Sequence, residues 1–96
     1  NYIQEHITEK LTVQLLSDQV GMSQSSLFRA FKAEFGLSPM EYIIQERLQY
    51  AKRLLGRCKS VKEACFGAGF SDVNYFIRLF KKRVGMTPGD FIRAAF

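Results

Sequence analysis

Two stretches of this 96-residue chain match each other at a nearly constant offset, and that repeat restricts the fold more than any other feature. At an offset of 48, Thr12, Val13 and Gly21 fall on Ser60, Val61 and Gly69. At an offset of 49, Leu27, Arg29, Phe31, Lys32, Gly36, Ser38, Pro39, Tyr42 and Ile43 fall on Phe76, Arg78, Phe80, Lys81, Gly85, Thr87, Pro88, Phe91 and Ile92. The change of offset puts one extra residue in a turn of the second copy. Helical periodicity alone explains why apolar positions match. It does not explain Arg29 with Arg78, or Lys32 with Lys81, which face outward at the same place in each copy.

The second copy is clearest in GFSDVNYFIRLFKKRVG, residues 69–85. Asp72 suits an N-cap, because its carboxylate can accept from the first free backbone amides. Gly85 suits the left-handed residue that closes a helix. Phe76, Leu79, Phe80 and Val84 recur at helical spacing and form an inward stripe. At 100° per residue, Asn74, Arg78 and Lys81 point the other way. A core-anchored helix that presents an amide and two cations is suited to a DNA groove.

Along the chain, residues 2–9 predict a first helix with Ile3 and Ile7 one turn apart. Thr12 caps a second over 13–20, with Val13, Leu16, Ser17 and Val20 inward. Gly21 turns the chain and Ser23 caps a third over 24–35, with Leu27, Ala30, Phe31 and Phe35 inward. Helix, tight turn, helix is a unit in which the first helix braces the second. Ser38, Pro39 and Glu41 combine a cap, a proline at the first helical position and a capping-box acid. They open a long helix to Leu55, roughly 25 Å at 1.5 Å per residue. Its apolar positions, among them Ile43, Ile44, Leu48, Ala51, Leu54 and Leu55, are wide enough for partners on two sides. Ser60 to Glu63 is another capping box and opens a fifth helix to about Ala68. The sixth is the helix of the second copy. Thr87 and Pro88 open a seventh with Phe91, Ile92 and Phe96 inward. The expected fold is all-α, about seven helices: two homeodomain-like helix-turn-helix units in tandem, over 1–37 and 58–96, joined by a helix over 38–57.

Charge is uneven. The chain carries +5 overall, but residues 1–48 hold four Lys and Arg against six acids, a balance of −2, while residues 49–96 hold ten against three, a balance of +7. A basic half favours a polyanionic partner; a basic surface without such a role competes with that reading. Cys58 and Cys65 lack metal-site spacing and the chain has one histidine, so no metal or cofactor is expected. Cys65 lies on an apolar stripe. His6 reads as a surface or packing residue. No run of about 18 apolar residues could span a membrane. There is no nucleophile–base pair, no paired carboxylates in an apolar setting and no phosphate-binding glycine loop, which excludes an enzyme.

The segments MSQSSLFRAFKAEFGLSP, RLQYAKRLL and GFSDVNYFIRLFKKRVGMTP resemble the DNA-binding domain of the AraC/XylS family of bacterial transcription regulators, over nearly the whole chain. Ala64 departs from that pattern where a larger aliphatic is usual, Cys65 where Ala is usual, and Ala68 where Val is common. These are core changes. The resemblance implies sequence-specific double-stranded DNA binding by a transcription regulator, activator or repressor; two cysteines without a disulfide framework fit a reducing cytoplasm. It also implies RNA polymerase as a second partner, and an N-terminal effector or dimerisation domain outside these 96 residues.

It further implies base contacts from Ser25, Phe28 and Arg29 in the first unit, and from Val73, Asn74, Tyr75, Ile77 and Arg78 in the second. Arginine can pair with guanine O6 and N7, Asn with adenine, and apolar side chains with a thymine methyl. Packing on the bracing helix is the competing role for Phe28 and Ile77, and an intramolecular ion pair for Arg29 and Arg78. Lys32, Lys81, Lys82 and Gln24 are expected at phosphates, as are the capped helix starts at Thr12 and Ser60. Arg47, inside the joining helix, reads as structural. Two unlike units in one chain predict an asymmetric site, with recognition helices in successive major grooves about 34 Å apart. The joining helix is slightly short for that span, so bent DNA or one weakly engaged unit is expected. The alternative reading is a helical protein–protein interaction module without DNA specificity.

Overall fold

The computed structural model describes residues 2–57 and 60–95. Its elements are α1 (Tyr2–Glu5), α2 (Val13–Val20), α3 (Gln24–Phe35), α4 (Pro39–Leu55), α5 (Val61–Gly67), α6 (Val73–Val84) and α7 (Pro88–Ala95). No strand occurs among the described residues. The architecture is all-helical, with α2–α3 and α5–α6 as two helix-turn-helix pairs joined through α4.

Helix starts follow from side-chain chemistry. The backbone N–H groups of Leu15, Ser26, Glu41, Glu63, Tyr75 and Asp90 donate to the side-chain oxygens of Thr12, Ser23, Ser38, Ser60, Asp72 and Thr87, at 3.0 to 3.3 Å. Each bond satisfies an amide that the first turn leaves without a helical partner. At Ser60 the box is reciprocal, because its own N–H donates to Glu63 Oε1 at 3.3 Å.

The repeat extends to the turns. The Met22 N–H donates to the Ser17 carbonyl at 3.0 Å, and the Phe70 N–H to the Cys65 carbonyl at 3.0 Å. Both pairs are related by the offset of 48. Gly21 (φ 68°) and Gly69 (φ 97°) hold the left-handed conformation that each turn requires. The next equivalence, Ser23 with Asp72, already has the offset of 49, so Ser71 is the additional residue.

Contacts divide the chain into two units, 1–46 and 47–96, with the division inside α4. In the first, Ile3, Ile7, Leu11, Leu16, Leu27 and Ile43 are buried, together with Ser17. The Ser17 hydroxyl is satisfied by donating to the Gln14 carbonyl at 2.9 Å. In the second, Ala51, Leu55, Ala64, Cys65, Ala68, Phe76 and Phe80 are all inaccessible to solvent. Burial, aided by the Asp72 charge, raises the Cys65 thiol above its usual range, so it packs as a small protonated group. Gly67 allows α5 to lie close on α4: a Cβ there would come within 2.9 Å of the Leu54 tip.

Several expected positions differ. The first helix stops at Glu5 rather than residue 9; a single turn gains little from its own hydrogen bonds. His6 instead stacks on Tyr2 at 4.1 Å and its Nδ1 meets Glu9 at 2.5 Å, while Ile7 stays buried. Val20 (55%) and Phe35 (40%) are exposed rather than inward, and so is Ala30. Val20 and Phe35 are the last residues of their helices, where the packed face gives out as the chain turns at Gly21 and Gly36. Ala30 lies at the edge of its stripe. Leu11 and Phe70, outside the expected stripes, are buried. Cys58 and Phe96 lie outside the described residues.

Candidate nucleic-acid interface

In the first unit, the capped starts of α2 and α3 bring a set of side chains together. Val13, Gln24, Ser25, Phe28 and Arg29 line one open hollow of ≈ 490 Å³. Ser25, Phe28 and Arg29 follow from helical spacing: residues three and four apart share a face. Phe28 is 46% exposed, so part of its ring stays open to the hollow. The Lys32 ammonium sits 5.9 Å from the centre of that ring, a cation–π contact that keeps charge beside the hollow. Arg29 is exposed and makes a long contact of 3.4 Å to Ser26 Oγ.

Gln24, at the rim, is tied sideways. Its Nε2 donates to Gln14 Oε1 at 2.5 Å, and Gln14 Nε2 donates to Asp18 Oδ1 at 2.9 Å. Thr12 is exposed, and its hydroxyl oxygen accepts from the Leu15 amide. Its hydroxyl proton can still be donated outward. Val13 also lines the hollow, although its spacing places it on the inward stripe. It is only half-buried, and its other side forms a wall of the hollow.

In the second unit, α6 turns Asn74, Tyr75, Arg78, Lys81 and Lys82 to solvent, while Val73 and Ile77 are half-buried beside them. Phe76 and Phe80 on the opposite face are wholly buried, which fixes the rotation of the helix. The Tyr75 ring is 43% exposed and leans toward Phe70 at 6.4 Å between centroids. Ser60 is exposed at the start of α5, with the same hydroxyl arrangement as Thr12. Arg83, in the last turn of α6, adds a further exposed cation that spacing alone did not single out. Arg47 is half-buried, and burial lowers its pKa, in keeping with a structural place in α4.

Other chemistry is sparse. Among the described residues, no group of three or more His, Cys, Asp or Glu side chains could hold a metal ion. No described helix is long and apolar enough to cross a membrane.

Comparison with known proteins gives one answer. A family model for a helix-turn-helix domain matches residues 16–94. The bifunctional transcriptional activator/DNA repair enzyme AdaA of Bacillus subtilis is 38% identical over 91 residues, covering 94% of this chain and 43% of AdaA. A probable AraC family transcriptional regulator from Rhodopseudomonas palustris superposes with a TM-score of 0.84 at 31% identity, over 98% of this chain and 90% of that one. The DNA-binding domain of the global transcriptional factor AdpA, solved in complex with a target DNA, superposes with a TM-score of 0.92 at 28% identity, over 97% and 85%. The chain spans between 31% and 55% of the length of four of the curated relatives it matches.

Proposed function

Given that this chain belongs to the AraC/XylS family of helix-turn-helix transcription regulators, we infer that it binds double-stranded DNA sequence-specifically to regulate transcription. The observation that carries this is the pair of exposed arginines, Arg29 and Arg78, at equivalent places on two separately capped and core-anchored helices. Each guanidinium offers the planar fork that guanine O6 and N7 accept in the major groove.

In this reading the two units, 1–37 and 58–96, are joined by the helix over 38–57, and α3 and α6 enter successive major grooves of an asymmetric site. Ser25, Phe28 and Arg29 meet base edges from α3; Val73, Asn74, Tyr75, Ile77 and Arg78 do so from α6. Lys32, Lys81 and Lys82 meet phosphates, as do the hydroxyls and amides at Thr12 and Ser60. Phosphate contacts set register and affinity, while base contacts set sequence. Gln24 stands where the two groups meet.

The protein's work is binding rather than catalysis, and its place is the cytoplasm. Contact with RNA polymerase, and an effector or dimerisation domain elsewhere in a longer polypeptide, belong to the same proposal. The family and the greater length of the relatives support them.

Selection of random duplexes on the 96-residue chain tests the reading. The expected result is an enriched, non-palindromic site spanning about two helical turns, with affinity that falls steeply as salt rises. Recovery of no preferred duplex, with weak binding insensitive to salt, would favour the protein-interaction module instead.

A further inference from the structure

We propose that the hollow of the first unit reads the major-groove edge of an A·T pair, with the Gln24 amide on adenine and Val13 with Phe28 on the thymine methyl. This rests on the DNA-binding reading above and deepens it at one site.

An A·T pair shows, across the major groove, an acceptor and a donor on adenine, then an acceptor and a methyl group on thymine. The hollow offers the complement. Gln24 stands at its rim, and Val13 and Phe28 supply apolar surface within it. Phe28 is open enough to receive a group from outside.

A glutamine amide reads adenine only if its oxygen and one N–H both face the base. Here the orientation is set from behind. The Asp18 carboxylate can only accept, so it draws the Nε2 end of Gln14 toward itself. That turns Gln14 Oε1 toward Gln24, where it accepts from Gln24 Nε2. Gln24 keeps its Oε1 and its second N–H, the pair that adenine N6 and N7 require. A phosphate can use only the N–H, and would meet the amide oxygen as a second acceptor. The relay therefore shifts Gln24 from the phosphate role that its position at the helix start suggests to a base-reading one. Asp18 and Gln14 are positioning residues. Arg29, on the same hollow, then falls to the neighbouring pair.

The test begins with the duplex selected on the 96-residue chain. Positions read by the first unit are those whose preference changes in Arg29→Ala. Replacing thymine by uracil at those positions removes the methyl and nothing else. The expected result is about fourfold weaker binding at one such position, the equivalent of one buried methyl. The difference disappears in Phe28→Ala, and also in Val13→Thr, which keeps the shape of the wall.

Asp18→Asn replaces an acceptor by an amide that can face either way. The preference for adenine, about tenfold or more for a bidentate pair, falls below about threefold, while the salt dependence is unchanged. A merely structural Asp18 would move overall affinity and leave base preference alone. If no duplex is enriched, the DNA-binding reading itself fails. If a duplex is enriched but uracil binds as well as thymine, or Asp18→Asn keeps the full preference for adenine, the assignment of the hollow is wrong.

Discussion

In the second unit the rings of Phe76 and Phe80 are fully buried and pack edge to face, with Phe70 and Phe91 on either side at 5.0 and 5.7 Å. In the first unit Phe31 is only half covered, and Phe35, 4.5 Å from Tyr42, is 40% exposed. Charge differs in the same direction. The α6 helix carries Arg78, Lys81, Lys82 and Arg83 with no acid, whereas α3 carries Arg29 and Lys32 against Glu34. The first unit instead offers a shaped hollow with an oriented amide. One backbone device thus supports two balances: a tightly packed unit with a strongly cationic helix, and a more open unit with an apolar-walled hollow.

Core truncation gives the largest contrast. Phe80→Ala is expected to destabilise the fold by about 3–5 kcal/mol, as wholly buried aromatics do. Phe35→Ala should cost about 1 kcal/mol, the value of an exposed aromatic pair. Urea unfolding of the two variants measures this, and similar losses would show that the units are packed alike.

On DNA, Arg29→Ala and Arg78→Ala should each remove about 1–3 kcal/mol of discrimination, at different positions of the selected site. Lys82→Ala should weaken specific and random duplexes alike and reduce the salt slope by about one. Titrations on both duplexes at several salt concentrations separate the roles. Equal losses on specific and random DNA for all three variants would remove the division between reading and holding.

The closing glycines sharpen the comparison at smaller scale. A Cβ at Gly36 or Gly85 would meet nothing within 4 Å, so any cost is conformational. Gly85 lies at φ 97°, farther from the narrow region open to L-residues than Gly36 at φ 72°. Gly85→Ala should therefore cost about 1–2 kcal/mol, and Gly36→Ala less. Thermal unfolding that reversed this order would place the strain elsewhere.

The smallest effect is one of pH. A hydrogen bond from the Thr87 hydroxyl, and then the Arg93 guanidinium, hold the Asp90 carboxyl below its usual 3.8. Its folded-state pKa is depressed, so the stabilisation is present above about pH 4 and is lost as pH falls through the folded value. Asp90→Asn should slightly flatten the acid limb of a stability–pH profile; an unchanged limb would mean the contact contributes nothing.

How much of this was legible in the residues depends on range. The caps at Thr12, Ser23, Ser60 and Asp72, the turns at Gly21 and Gly69, and the outward set of Ser25, Arg29, Asn74 and Arg78 follow from contacts within one turn of the chain, which spacing encodes directly. Val20 and Phe35 share the spacing of the core positions yet stand exposed, because periodicity names a face and does not say where its cover ends. Val13 lies on an apolar stripe, and in sequence a half-buried wall looks like any other apolar position.

The sequence by itself determined the six helices from α2 onward, the side chains that cap them, the duplication and the outward placing of Arg29, Lys32, Arg78 and Lys81, because all of these are set by local stereochemistry. Only the tertiary structure decided that Val13 shares a hollow with Phe28, and that Gln14 bonds to both Asp18 and Gln24. Those relations join α2 to α3 across a turn, and the distance between two packed helices is set by the volume of the side chains between them rather than by their spacing along the chain.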